Sequence, residues 1–154
     1  MRITDLKQTV IVPFDFSELS CDALKHATEM LGDPDLIKVI HVTEYPTAYE
    51  YGVVWETMTE DAITNRLHES FAERLQEVGL ATDFDFSVRF GNPGHQICRF
   101  AKEIEAGLLI MPSHGRSGFS RFLLGSVAER VVRMAPCPVL ILRDDSSAED
   151  EDEG

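Results

Sequence analysis

The residues best equipped for chemistry lie in one run, Met111-Pro112-Ser113-His114-Gly115-Arg116-Ser117-Gly118-Phe119-Ser120-Arg121-Phe122-Leu123-Leu124-Gly125-Ser126. The run leaves the apolar stretch Leu108-Leu109-Ile110, passes through small and basic residues, and enters an amphipathic segment near Val127. A strand that gives way to a small-residue loop and then to a helix collects free backbone N–H groups and the positive end of a helix dipole at one place, and so makes an anion site. Gly115 and Gly118 allow close approach, Gly125-Ser126 stands where the helix N–H groups are free, Val127 follows at the helix start, and Arg116 and Arg121 add positive charge. Nucleotide phosphates suit this chemistry. A second segment, Pro13-Phe14-Asp15-Phe16-Ser17, follows an apolar run in the same way. Asp15 can accept hydrogen bonds from an adenine amino group or help hold a metal, but a carboxylate does not bind phosphate by itself.

Each of these residues also has a purely structural use. Ser126-Val127-Ala128-Glu129 has the form of a capping box, in which Ser126 and Glu129 satisfy the helix's own N–H groups. Asp15 and Ser17 can serve only to cap the helix after them. His114 reads as a loop hydrogen-bonder rather than a general base, because no nucleophile or metal ligand stands at a telling spacing. Arg116 and Arg121 can be solvated or face the protein's own acids. The glycines fit neither the Walker A pattern nor GxGxxG, so their spacing alone is a weak signal.

The elements that must position these segments can be read in order. Residues 8–14 form a short buried strand ending at Pro13, followed by a helix with Ala23, Leu24, Ala27, Met30 and Leu31 on one face, stopped at Gly32-Asp33-Pro34. Leu36 to Thr43 is a second strand, and the irregular stretch from Glu44 to Gly52 with its three tyrosines is an exposed loop, read as surface packing rather than a ligand lid. Ile63, Leu67, Phe71 and Leu75 recur every fourth residue on a helix ended by Gly79, and Phe84, Phe86, Val88 and Phe90 alternate on a strand of the sheet's edge. Pro93 opens a helix carrying Ile97, Phe100, Ala101 and Ile104, which Gly107 ends. Leu108 to Met111 is the fourth strand, a helix runs from Val127 to about Met134, and Val139-Leu140-Ile141-Leu142-Arg143 is the last strand. Five short apolar strands alternating with four helices predict a doubly wound α/β domain, a mainly parallel sheet with helices on both faces. Ligands of such sheets lie outside the carboxyl ends of the strands, where neighbouring strands send their helices to opposite faces.

Composition narrows the possibilities. The 154 residues, 44% hydrophobic, suit one domain with a sizeable core. No apolar run approaches the ~20 residues of a membrane span, and Met1-Arg2-Ile3-Thr4-Asp5 lacks a signal-peptide core, so a cytoplasmic protein without membrane association is expected. Cys21, Cys98 and Cys137 form no metal or CxxC pattern and are expected to be reduced and mostly buried, and the scattered His26, His41, His68 and His95 make a zinc site improbable. The net charge is −13, yet residues 144–154 hold seven acids and no base, and without them 20 acids face 14 bases. So acidic a segment buries no apolar surface and is expected to be a disordered tail, residues 144–154, beside a domain spanning 1–143. The remaining body is still acidic, which argues against a nucleic-acid partner. Such acidity also fits a protein kept soluble in high salt, an ordinary acidic protein being the simpler reading.

The run from Ser113 through Leu123-Leu124-Gly125-Ser126-Val127-Ala128-Glu129-Arg130-Val131 to Ala135-Pro136-Cys137-Pro138-Val139-Leu140 resembles the C-terminal signature of the universal stress protein family. Val12-Pro13-Phe14-Asp15-Phe16-Ser17 and Val39-Ile40-His41-Val42 resemble that family's first two strand ends, and the likeness extends in order over about residues 7–143. It implies a five-stranded sheet in the order 3-2-1-4-5, with Asp15 and the small-residue loop on either side of one crevice. In the nucleotide-binding branch the loop reads Gly-x-x-Gly, nine residues, then Gly-Ser or Gly-Thr. Gly115, the nine residues after it, Gly125 and Ser126 fit, while Pro112 takes the place of the first glycine. Proline has no N–H and fixes φ near about −65°, so whatever donor or backbone angle that glycine supplied is gone.

By this resemblance Gly115, Gly125, Ser126 and Val127 contact phosphates or ribose, while Pro13, Asp15 and Val42 line the adenine side; Arg116 and Gly118 are candidates particular to this chain. The implied cofactor is ATP, with or without magnesium, bound for regulation with slow hydrolysis at most. The implied assembly is a homodimer through the last strands, Val139, Leu140, Ile141 and Leu142, whose apolar open edge needs covering. Two alternatives stand beside it. One is a stress protein of the same fold that binds no nucleotide and acts through protein contacts. The other is an adenylating enzyme of the adenine-nucleotide α-hydrolase type, whose second pocket 154 residues leave little room for.

Overall fold

In the computed structural model, which describes residues 9–45, 59–80, 83–114 and 123–143, strands and α-helices alternate strictly, with one 3-10 turn, Pro34–Leu36, leading into the second strand. The elements are β1 (Val10–Pro13), α1 (Glu18–Leu31), β2 (Ile37–Thr43), α2 (Glu60–Glu77), β3 (Asp85–Phe90), α3 (Pro93–Glu103), β4 (Leu108–Pro112), α4 (Ser126–Met134) and β5 (Val139–Leu142). The sheet order is β3-β2-β1-β4-β5 and every pairing is parallel, as the family resemblance implied. β3, with its alternating pattern, lies at one edge and β5 at the other. Among the described residues no helix is long and apolar enough to cross a membrane. The expected acidic tail, 144–154, and most of the tyrosine loop lie outside the described residues. Tyr45, which is described, stacks obliquely on Phe90 with ring centroids 5.6 Å apart, as surface packing requires.

The strands are apolar on both sides because both sides are covered. Val10, Val12 and Phe14 face α1 and α2, where they meet Leu24, Ala27, Phe71 and Leu75. Ile11 faces the other way with Ile40, Leu109 and Met111, against Ile97, Ala101, Ala128 and Val131 of α3 and α4. The helices therefore divide between the two faces at the β1–β4 boundary. That boundary is paired at Val10↔Leu108 and Ile11↔Leu109, and the ladder goes no further towards the carboxyl ends, where Pro13 and Pro112 have no N–H to give.

Several element ends differ from expectation, each for a local reason. Met30 sits at the flank of the apolar stripe in the last turn of α1 and is 39% exposed. Gly107 does not end α3. The helix stops at Ile104, and Glu105 takes the left-handed conformation at φ 51°, freeing the Gly107 N–H to join the sheet through the Thr9 carbonyl at 2.9 Å. Cys21 and Cys98 are buried and Cys137 is half-buried, all three as free thiols. Burial pushes each thiol up from its ordinary range, for Cys21 against the opposing pull of the Arg74 guanidinium, so these sulfurs are protonated packing groups.

Ile11 fills the centre of the α3–α4 side, fully buried and flanked in the sheet by Lys38 and Leu109. Ile11→Ala is expected to cost about 2–5 kcal/mol in urea unfolding, a large share of the ~5–15 kcal/mol of a typical domain. Val132→Ala, on the exposed side of α4, should change stability by less than about 1 kcal/mol. Equal effects would contradict the placement of the core.

Candidate functional site

At the end of β1 the chain leaves the sheet through a hydrogen-bonded turn. The Phe14 N–H donates to the Ile40 carbonyl at 2.8 Å, after which Asp15 begins the approach to α1. Asp15 Oδ1 accepts the Ser17 N–H at 3.0 Å and also the Ser17 hydroxyl. Ser17 in turn caps α1, its Oγ accepting the Ser20 N–H at 3.2 Å, and the buried Ser20 hydroxyl donates back to the Ser17 carbonyl at 2.9 Å. The capping role of this segment is therefore real, but it occupies one carboxylate oxygen. Asp15 Oδ2 takes no hydrogen bond from any described residue and remains an oriented acceptor.

Phe16 pays for this turn with a left-handed backbone at φ 67°, a conformation that a bulky residue rarely adopts. Its ring packs edge-on against Phe14 at 5.2 Å and His41 at 5.0 Å. His41 Nδ1 lies 2.7 Å from the Phe14 carbonyl, and because a carbonyl only accepts, that nitrogen carries the proton. Pro13 pairs with Ile40 in the sheet and is buried. Val42, two residues beyond Ile40 on β2, is half-buried and packs with the α3–α4 side of the core. Pro13, Asp15 and Val42 thus gather at the carboxyl ends of adjacent strands.

β4 ends beside them. The Leu109 N–H donates to the Pro138 carbonyl and the Ser113 N–H to the Leu142 carbonyl, both at 3.0 Å, so odd-numbered residues of this strand direct their N–H groups at β5. In a parallel ladder the even-numbered positions direct theirs at the opposite neighbour. Pro112 therefore lacks its N–H on the β1 side, as Pro13 lacks its own on the β4 side, and the pairing of the two strands ends where these donors are missing. The Ser113 carbonyl accepts the Gly125 N–H at 2.7 Å, closing the base of the loop, and the Ser113 hydroxyl lies 3.0 Å from His114 Nδ1. A Cβ on Gly125 would stand 3.0 Å from His114 Cα and 3.3 Å from the Ser113 oxygen, so a side chain at residue 125 would crowd the place where the two ends of the loop meet.

The capping-box reading of Ser126 is one residue out of register. Gly125 is the N-cap of α4, Ser126 is already helical, no side-chain hydrogen bond caps the helix, and Glu129 pairs with Arg133 at 2.7 Å. With Gly125 at the cap, the first-turn N–H groups around Ser126 and Val127 lack the acceptor that a serine there would have provided. Gly115, Arg116 and Gly118, along with Arg121, lie outside the described residues. Among those described, no group of three or more His, Cys, Asp or Glu side chains is gathered as for a metal ion.

One part of the site escaped the sequence reading. Between the start of α3 and the side of α4 is a cleft of about 490 Å³ whose walls include Asn92, Gly94, Ser126, Val127, Arg130 and Arg133. Asn92 caps α3, its Oδ1 accepting the His95 N–H at 3.1 Å, and the same oxygen accepts Arg130 Nη1 at 3.0 Å. The stem of Arg130 crosses Gly94 so closely that a Cβ there would meet its Cδ at 2.7 Å and its Cγ at 2.9 Å. This contact ties α4 to the start of α3. The available signal was a glycine one residue after Pro93 in a helix's first turn, a position that favours better helix formers unless something approaches the backbone.

The double-mutant cycle of Gly94→Ala with Arg130→Ala tests this tie. In the native background Gly94→Ala should destabilise by about 1–3 kcal/mol in urea unfolding, because the arginine stem is displaced. With Arg130→Ala the same change should turn neutral or stabilising, as alanine exceeds glycine in helix propensity by up to about 1 kcal/mol. Additive effects would show that the contact carries no energy.

Comparison with known proteins agrees with this architecture. Universal stress protein MJ0531 of Methanocaldococcus jannaschii is 32% identical over 148 residues, covering 90% of this chain and 84% of that protein. Universal stress protein YxiE of Bacillus subtilis is 29% identical over 146 residues, covering 87% and 97%. The solved structure of hypothetical protein MJ0577 superposes with a TM-score of 0.70 at 26% identity, covering 91% of this chain and 98% of that one. A universal stress protein solved in complex with cAMP superposes with a TM-score of 0.58, also at 26% identity, covering 88% and 97%. Residues 7–143 match the universal stress protein family, and with that match, these relatives and the 3-2-1-4-5 sheet, the chain belongs to it.

Proposed function

We propose that this chain is an ATP-binding regulatory protein of the stress response that works as a homodimer in the cytoplasm, with slow hydrolysis at most. The observation that carries the reading is a pair of groups at the carboxyl edge of the sheet that no side chain among the described residues engages. The Asp15 Oδ2 acceptor stands at the end of β1, and the α4 N-terminus, without a side-chain cap, comes after adjacent β4. The first suits the exocyclic amino group of adenine and the second suits phosphate. In this reading Pro13, Asp15 and Val42 line the base, while Gly125, Ser126 and Val127, with Gly115, Arg116 and Gly118 of the loop, hold ribose and phosphates. Bound magnesium would offset phosphate charge. The solved relative in complex with cAMP supports an adenine nucleotide as the ligand class.

The proposed dimer uses Val139, Leu140, Ile141 and Leu142. β5 bonds to β4 on one side, and its four residues are all half-buried and apolar. An exposed edge of that kind invites antiparallel pairing with a second copy. The domain is taken as residues 1–143, with 144–154 an acidic tail.

Pro112 favours a second reading. Its missing N–H falls on the β1 side, so a phosphate loop that depended on a donor there has lost it, and the protein would act through protein contacts without nucleotide. Calorimetric titration with ATP, with and without magnesium, of the native chain and of Pro112→Gly separates the two. Binding to both supports the first reading, and binding only to the variant supports the second.

Asp15→Asn sharpens the assignment. Asparagine keeps the Oδ1 acceptor that holds Ser17 but replaces Oδ2 with an amide donor. Stability should change by less than about 1 kcal/mol, whereas ATP affinity should fall about tenfold or more, as expected for loss of a hydrogen bond to a charged acceptor. Inosine triphosphate, which carries a carbonyl in place of the amino group, should lose much less. Equal losses for both nucleotides would remove Asp15 from base recognition.

A further inference from the structure

β5 ends beside the loop that leads into α4, whose first turns form one wall of the α3–α4 cleft. The Leu142 carbonyl accepts the Ser113 N–H at 3.0 Å and the Ser113 carbonyl accepts the Gly125 N–H at 2.7 Å, so the last residue of β5 is two hydrogen bonds from the residue that opens α4. The cleft wall continues from there through Ser126 and Val127 to Arg130 and Arg133. Arg130 donates Nη1 to Asn92, and Arg133 donates Nη2 to Glu129 at 2.7 Å with its side chain 75% exposed. A guanidinium has five N–H donors, so each arginine keeps most of its capacity for a further acceptor. Glu129 is the acid in the cleft wall, and it is already paired.

The segment with seven acids and no base begins directly after Arg143. The rest of the chain carries more acids than bases, 20 against 14, so most of its surface repels such a segment. A tethered segment also meets a nearby site at an effective concentration of order millimolar, so modest contacts suffice. Five extended residues already span about 17 Å, and the first acids, Asp144 and Asp145, come immediately after the strand.

We propose that the acidic segment 144–154 folds back onto the α3–α4 cleft of its own chain, with its carboxylates on Arg130 and Arg133. Ser126 and Val127 belong to the same wall, so a docked segment and a phosphate at the start of α4 exclude one another. This competition rests on the nucleotide reading; the docking does not.

The test compares amide spectra of the ¹⁵N-labelled full chain with those of the full chain whose four acidic-segment Asp are changed to Asn and three Glu to Gln. At about 50 mM salt, shift differences should fall on Asn92, Gly94, Ser126, Val127, Arg130 and Arg133. They should be independent of protein concentration and fade towards about 1 M salt. Arg133→Gln, on an exposed side chain, should shrink the same differences. Differences confined to the neighbours of Arg143, or growing with protein concentration, would overturn docking in cis. ATP titrations of both chains then test competition, with about fivefold tighter binding expected for the neutralised chain at low salt and a narrowing gap as salt rises. Equal affinities would overturn competition. If neither chain binds ATP, the nucleotide reading fails while the spectra still decide the docking.

Discussion

The structure depends on a short seam. β1 and β4 run side by side but pair only at Val10↔Leu108 and Ile11↔Leu109, and beyond those residues each strand turns its following helix to a different face. Pairing any less would have left the centre of the sheet, where Ile11 and Leu109 are fully buried, without its backbone partners. The seam makes one compact sheet, and the helices that follow its two strands go to opposite faces.

The groups around the crevice are held by backbone constraints more than by side-chain networks. Gly125 lets the loop return to within contact of His114, Gly94 lets Arg130 lie across the start of α3, and Phe16 accepts an unfavourable backbone angle so that Asp15 can serve Ser17 with one oxygen and leave the other available. Pro112 fits the same logic. Its missing donor faces β1, where Pro13 also has none to return, so the two prolines end the β1–β4 ladder.

Much of this was legible in the chain. Alternating apolar strands and amphipathic helices give a doubly wound domain from periodicity alone, and the edge position of β3 followed from Phe84, Phe86, Val88 and Phe90. The adjacency of β1 and β4 was not a matter of periodicity, since no local pattern says which strands pair; the family resemblance supplied it. Ser126 misled because a serine three residues before a glutamate has the form of a cap, whereas the hydrogen bond from Gly125 to Ser113 sets the helix start one residue earlier. Asn92, Gly94 and Arg130 were not singled out because their contact joins residues 38 apart, at the cap of one helix and the side of another.

The central claim is that the end of β1 and the start of α4 together bind one adenine nucleotide. A crystal structure of the chain grown with millimolar ATP and magnesium tests it most directly. The adenine amino group is expected on Asp15 Oδ2, and phosphate oxygens on the N–H groups of Ser126 and Val127. Nucleotide bound elsewhere, or crystals without nucleotide at that concentration, would contradict it.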